Sequence, residues 1–324
     1  MKKLILIMGF FLAVNFSLAA EINKLGKSGT QIAHTVNGVT FMMRLAPAGA
    51  FPTGWDDDKI SIVENEFWIA ETEVTYELWN AVYEWAINNG YVFGVSGSSP
   101  GRQGGDTISK GISPVGTEQH PVTTVAWRQI IVWCNALTEL YNIQNGTDYE
   151  QVYTYKRKII RDATDEKAIV NAVFNPKAKG FRLPTSAEWE LAARYRGNDS
   201  SHGAIEYPVG SGIYWTPGQY ASGATDVYTD SEATSIAGWY EKNSNQTTQE
   251  VGQKPVTGNA LGLYDMSGNV WELCFDKYGK SKKQRVIRGG SWALYDRFLS
   301  VGFIMSADIG QIGGDLGFRL ARTP

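Results

Sequence analysis

In 324 residues the formal net charge is −3 and the sequence pI is near 5.7, which leaves no basic surface for nucleic acid or an anionic membrane. Apolar residues make up 43% and aromatic residues 12%, and 35 glycines beside 11 tryptophans point to a loop-rich chain packed largely by rings. Two cysteines, Cys134 and Cys274, are too few for a disulfide framework, so stability must come from the core.

The first residues, MKKLILIMGFFLAVNFSLAA, carry Lys2 and Lys3, an apolar run from Leu4 to Val14, and Ala19-Ala20 before Glu21. That is the layout of a secretory signal peptide over 1–20, with cleavage expected near Ala20. The run is too short to span a bilayer and no other stretch is long enough, so an exported protein at the cell surface or in the periplasm is expected. Cys134 follows Trp133, and Cys274 lies between Leu273 and Phe275. One disulfide is open to an exported chain, but these apolar settings favour two buried free thiols.

Residues 21–38 read as a polar N-terminal arm or leader strand. From Val39 the sequence alternates and then turns through Gly and Pro, which suits a strand and a corner. Phe67 to Thr75 reads as a strand. Tyr76 to Asn88 places Leu78, Trp79, Val82 and Trp85 at helical spacing behind Thr75 as N-cap. A Gly/Ser-rich loop covers 90–116, and a second helical stripe runs from Trp127 to Tyr141, with Thr124 or a neighbour as cap. Residues 142–178 suggest a hairpin and an exposed excursion. In Gly180-Phe181-Arg182-Leu183-Pro184-Thr185-Ser186-Ala187-Glu188 a strand gives way to a helix through Arg194, with Glu188 completing a capping box. Arg182 and Glu188 are expected to lock that corner, and Trp79, Trp127, Trp133, Trp189 and Trp271 to lie in the core. From 197 to 260 the chain is polar and without period, which suggests irregular structure over a core. Alternation from Asn269 to Leu273 marks a further strand. No repeat or linker divides the chain, so one domain over 39–324 is expected.

The tail from Arg288 to Arg322 differs from everything before it. Arg288-Gly289-Gly290-Ser291-Trp292 and Leu316-Gly317-Phe318-Arg319-Leu320 look like framework. Between them lie apolar residues that fit neither a helical nor a strand period, as in a loop or a partner-facing surface.

Several blocks together resemble one family. Phe67…Glu73-Val74-Thr75…Leu78-Trp79, Pro121-Val122…Val125-Ala126-Trp127, the Gly180–Glu190 segment, Gly262-Leu263-Tyr264-Asp265-Met266…Gly268-Asn269-Val270-Trp271-Glu272, Arg288–Trp292 and Gly317-Phe318-Arg319 are similar to the formylglycine-generating-enzyme (sulfatase-modifying factor) domain. The resemblance implies an α+β fold of the C-type-lectin type, with few regular elements and much ordered loop. In that family two cysteines after the Gly-Gly-Ser motif bind copper through soft thiolates. The matching positions here are Leu294 and Leu299, so no copper and no catalysis are expected. His34, His120 and His202 are scattered and suggest no iron site. The resemblance also implies a structural calcium held by Asp265, Gly268, Val270 and Glu272; the other reading is that the two acids bond the loop backbone.

Within the family the chain looks closest to the variable proteins of diversity-generating retroelements, the treponemal variable protein among them, whose C-terminal region of about 288–322 is diversified at asparagine AAY codons. Such codons cannot yield Trp, Gln, Lys, Glu or Met, and from Ala293 to Asp315 only Met305 and Gln311 fall outside the accessible set. The positions expected to vary and bind ligand are Ala293, Leu294, Tyr295, Asp296, Phe298, Phe303, Ile304, Ser306, Ile309, Gly310, Ile312, Gly313, Gly314 and Asp315. Leu299, Ser300 and Val301 read as a fixed strand among them, and Tyr295, Phe298 and Phe303 as candidate anchors. The function this implies is a non-catalytic, exported, monomeric binder of a macromolecular ligand, most simply a protein. The alternative is an oxidase or other redox enzyme with a degenerate site. A sugar-binding lectin ranks lower, since no Glu-Pro-Asn or Trp-Asn-Asp string occurs.

Overall fold

The computed structural model describes residues 27–94, 100–107, 114–255 and 259–324. The expected signal peptide and most of the arm lie outside them. Gln31–Val36 and Val39–Ala46 form an antiparallel hairpin around Asn37-Gly38, both with positive φ, as a two-residue turn of the mirror-image kind needs. The end of the expected arm is therefore an edge strand of the domain.

The N-terminal sheet has the lateral order Gln31–Val36, Val39–Ala46, Phe67–Ala70, Ala321–Arg322, Phe181–Arg182. The last strand of the chain thus lies between two strands made much earlier. Phe67–Ala70 is shorter than the expected Phe67–Thr75 because the Val74 N–H and carbonyl leave the sheet for Phe318 and Val122. The C-terminal sheet runs Met305–Asp308, Gln284–Arg288, Trp271–Lys277, Leu316–Gly317, with the final pair parallel. Its strand begins at Trp271, two residues later than expected, because Asn269 has a left-handed φ of 55°.

Helix α1, Tyr76–Ile87, is capped by Thr75, whose hydroxyl accepts from the Leu78 N–H at 3.2 Å. Helix α2 is longer than expected, Trp127–Asn145, and stops at Gly146, which takes the left-handed conformation at φ 64°. Its cap is not Thr124. The Gln129 side chain instead accepts from the Ala126 N–H at 2.9 Å, while the Thr124 N–H donates to Gly313. Helices α1 and α2 meet through Trp79 and Trp133, stacked 5.3 Å apart and 6° from parallel, with Phe318 edge-on to both. Helix α3, Glu166–Val170, and a three-stranded sheet of Val173–Phe174, Tyr153–Tyr155 and Lys158–Ile159 form the excursion. Helix α4 is Ser186–Arg194 and α5 is Ser231–Ala237; the chain between them is mostly irregular.

All five tryptophans assigned to the core are buried. Cys134 lies in the cluster around α1 and α2, and Cys274 in a second cluster around Trp189 and Trp215; both are free thiols. No helix among the described residues is long and apolar enough to cross a membrane.

At the start of α4, Thr185 accepts from the Glu188 N–H and Glu188 accepts from the Thr185 N–H, while both Glu188 oxygens take the buried Arg182 guanidinium at 2.7 Å. Thr185→Ala removes one cap bond and should cost about 1 kcal/mol in urea unfolding. Glu188→Ala also strands a buried cation and should cost about 3 kcal/mol or more. Equal losses for the two variants would refute this account.

Candidate binding face

Both ends of the tail are fixed by buried polar bonds. At the first end, Arg288 donates to Glu190 at 2.8 Å, to the Ser186 hydroxyl and to the Phe303 carbonyl. Gly290 has a φ of 74°, and a Cβ there would stand 2.7 Å from the Phe298 carbonyl, so the Gly-Gly pair is required. The Trp292 N–H donates to Asn269 and its indole N–H to Gly314 at 3.1 Å. At the second end, the Arg319 guanidinium meets both oxygens of Glu272 at 2.6 Å and donates to the carbonyls of Ala70 and Tyr264.

Between these ends the chain makes a 3-10 turn over Asp296–Leu299, dips inward at Ser300-Val301, and returns as the edge strand Met305–Asp308. Leu299, Ser300 and Val301 are buried, but they do not form the expected strand; Ser300 makes a single bridge to Ala221, and the Val301 N–H donates to Tyr220.

The face carries Tyr295 at 66% exposure, Ile312 at 54%, Met305 at 40% and Ile304 at 39%, with Ala293 and Gly310 also exposed. Leu294, Asp296, Phe298, Phe303 and Ser306 are half-buried. Of the other positions expected to vary, Ile309 is buried, and Gly313, Gly314 and Asp315 are half-buried with backbone groups bonded to the frame. Ile309, just past the end of the edge strand, is 0% exposed and packs in the main core with Ala307. The Gly313 carbonyl accepts from Thr124, and the Gly314 carbonyl accepts from Trp292 while pressed against Gly105. The Asp315 carboxylate accepts from Ser291 and its carbonyl from the Trp271 N–H. Met305 and Gln311, which lie outside the codon-accessible set, and Arg297, which lies within it, are also exposed on the face.

Two further rings reach this face from outside the tail. Phe298 and Phe303 pack edge-to-face at 4.9 Å above buried Trp271; Trp55 lies 5.9 Å from Phe303, and Tyr228 lies 5.4 Å from Trp55.

Among the residues expected to hold calcium, Glu272 is already engaged by other groups. Glu272 is fully buried, and its oxygens are taken by Arg319 and by the Trp189 indole N–H at 2.7 Å. A guanidinium therefore occupies the place where an ion would have to bind Glu272. Asp265 accepts from the Gly252 N–H at 2.7 Å, and its other oxygen has no protein partner. Among the described residues no three acids, histidines or cysteines gather closely enough to hold a metal. Of the calcium ligands expected at Asp265, Gly268, Val270 and Glu272, Glu272 is thus held by Arg319, while Asp265 keeps one oxygen without a hydrogen-bond partner.

Both thiols, His34 and His120 are buried, while His202 is exposed. Leu294 packs against the main core, and Leu299 fills a small cluster with Ala221, Ala224, Ala237 and Tyr240. Burial pushes both thiols well above the usual range, so neither forms a thiolate readily. His34 sits among Phe41, Tyr141 and Phe181, and burial, helped by Arg322, lowers its pKa to about 4. His120 bonds Thr248 elsewhere.

A family description, sulfatase-modifying factor enzyme 1-like domain, matches residues 32–324. The chain belongs to that family. The chaperone protein LppX of Paenibacillus barcinonensis is 27% identical over 291 residues, covering 86% of this chain and 88% of that protein. The structure of Treponema denticola variable protein 1 is 29% identical, covers 91% of this chain and 99% of its own, and superposes with a TM-score of 0.64. The inactive C-alpha-formylglycine-generating enzyme 2 of Bos taurus is 32% identical over 119 residues, 35% of this chain and 33% of the bovine protein. The α+β fold with many small sheets is thus that of the sulfatase-modifying-factor and variable-protein group.

Arg319→Met leaves Glu272 charged and unpaired in the core and should cost about 3–5 kcal/mol in urea unfolding. Burial raises the Asp265 pKa from 3.8 to about 6, so the fold prefers the protonated acid. That contribution is complete below about pH 4 and is lost as pH rises through about 6. Asp265→Asn, neutral throughout, should therefore flatten the stability profile between those values by up to about 3 kcal/mol. Parallel profiles for the two proteins would sink this assignment.

Proposed function

We propose that this protein is a non-catalytic, exported ligand-binding protein whose tail presents selectable contact residues on a rigid frame. The observation that carries the reading is the contrast within the tail. Buried polar bonds hold Arg288, Trp292, Asp315 and Arg319, while Tyr295, Ile304, Met305 and Ile312 stand exposed between them. An apolar group left in water on an ordered backbone is poised to be covered by a partner, and a frame ordered beforehand spares the association that entropy cost. Treponema denticola variable protein 1 is a variable protein by name, and its similarity over most of both chains supports the same use of the tail here. The bovine relative, inactive by name, supports a non-enzymatic role. Buried, high-pKa thiols outside the tail argue against thiolate chemistry on this face.

The reading includes diversification of the tail by a retroelement and display at the cell surface. Sequencing the DNA around the gene tests the first: a near-copy of the tail codons, differing mainly at adenines and beside a reverse transcriptase, is the expected finding. Replacing Ala293, Tyr295, Ile304, Met305 and Ile312 together with serine should shift Tm by only a few degrees, since surface changes away from caps and cores rarely cost more than about 0.5 kcal/mol each. Ile309→Asp should unfold the domain. A serine-substituted tail that fails to fold would mean that these side chains are structural.

A further inference from the structure

We propose that Phe298, Phe303, Trp55 and Tyr228 form a docking surface for an exposed arginine or lysine of a partner polypeptide. This rests on reading the tail as a binding face, and extends that face to two loops outside it. The four rings are half-buried and make a continuous row, Tyr228 to Trp55 to Phe303 to Phe298, with each ring in contact with the next. The row is held in place by backbone. Gly302 lies directly against the Gly54 carbonyl, the Gly302 N–H donates to Gly218 at 2.9 Å, and the Tyr228 N–H donates to Gln219 at 3.0 Å.

The segments that carry these rings set the charge around them. Asp57 turns inward, paired with Arg194 and with the Gly218 N–H. Asp56, Asp58 and Asp226 remain exposed and Asp296 half-exposed, against Lys59 and Arg297 as cations. An aromatic row rimmed by an excess of carboxylates attracts a cation by the ring quadrupole and by simple charge, and disfavours an acidic partner. The chain itself shows that the row accepts a guanidinium, since Arg297 lies over the Phe298 ring at 4.7 Å. Among the described residues no cation covers Trp55, Tyr228 or Phe303. A long basic side chain is suited to this place, because its stem can lie on the rings while its head reaches the carboxylates.

The test is to pan short random peptides displayed on phage over three purified proteins. These are the wild type, a tail variant carrying Tyr295→Ser and Ile304→Ser, and the rim variant Asp56→Asn/Asp226→Asn, each checked for fold by circular dichroism. The expected binders are rich in arginine and lysine, lose affinity in the tail variant, and bind the rim variant roughly tenfold more weakly. Phe303→Leu, which keeps apolar volume but removes one ring, should weaken them as well. Binders that depend on the tail but lack basic residues, or bind the rim variant equally, overturn cation docking and leave the binding reading standing. Basic peptides that bind all three proteins alike reveal adventitious polycation binding and also overturn it. Recovery of no tail-dependent binder overturns both.

Discussion

The ion pair between Arg319 and Glu272 is the junction on which the architecture turns. Glu272 belongs to the C-terminal sheet and Ala70, whose carbonyl Arg319 reaches, to the N-terminal sheet; Trp189 of α4 donates to the same carboxylate, and Tyr264 adds a carbonyl from the preceding loop. One buried guanidinium thus joins the two sheets, a helix and a loop. Desolvating two charges is expensive, and the pair is sustained because every strong donor of Arg319 has an acceptor in good geometry. Nearby, Glu73 and Asp265 are also buried acids, and burial raises the pKa of both. The centre of the fold is a knot of charge and hydrogen bonds wrapped in tryptophan.

Local chemistry in this sequence was legible where the deciding partners lie within a few residues. Thr75, Thr185 and Glu188 announce their helices because a cap is satisfied three positions along the chain. The Asn37-Gly38 turn was equally local, and its flanking alternation favours the leader strand over the loose arm. The start of α2 was not legible at Thr124, because that residue takes a left-handed φ of 58° and is bonded to Gly313, far along the chain, in place of the extended backbone of an N-cap.

The tail shows the same limit more sharply. Codon chemistry sorts residues by which side chains can arise, whereas the fold sorts them by what their backbone must do. Gly313, Gly314 and Asp315 satisfy the first criterion and are held by the second through bonds to Thr124, Trp292 and Trp271. Ile309 packs in the main core just past the edge strand, whereas Ile304 and Ile312 stay exposed, and no local pattern separates the three. Trp55 and Tyr228 could not be assigned to the face from sequence, since their ring partners lie on distant segments.

The chain's final strand, Ala321–Arg322, is inserted between Phe67–Ala70 and Phe181–Arg182. Until that strand is in place the N-terminal sheet is split down its middle, with two unpaired edges and no Phe318 against Trp79 and Trp133. Completion of the N-terminal sheet therefore needs the residues up to Arg322, and its closing pairs, such as Ile69 with Ala321, are highly non-local. A frameshift or stop within the tail would leave a gap at the centre and not a frayed end. The exposed residues Tyr295, Ile304 and Ile312 take no part in that pairing, so the closing of the sheet depends on the tail's length and not on what they carry.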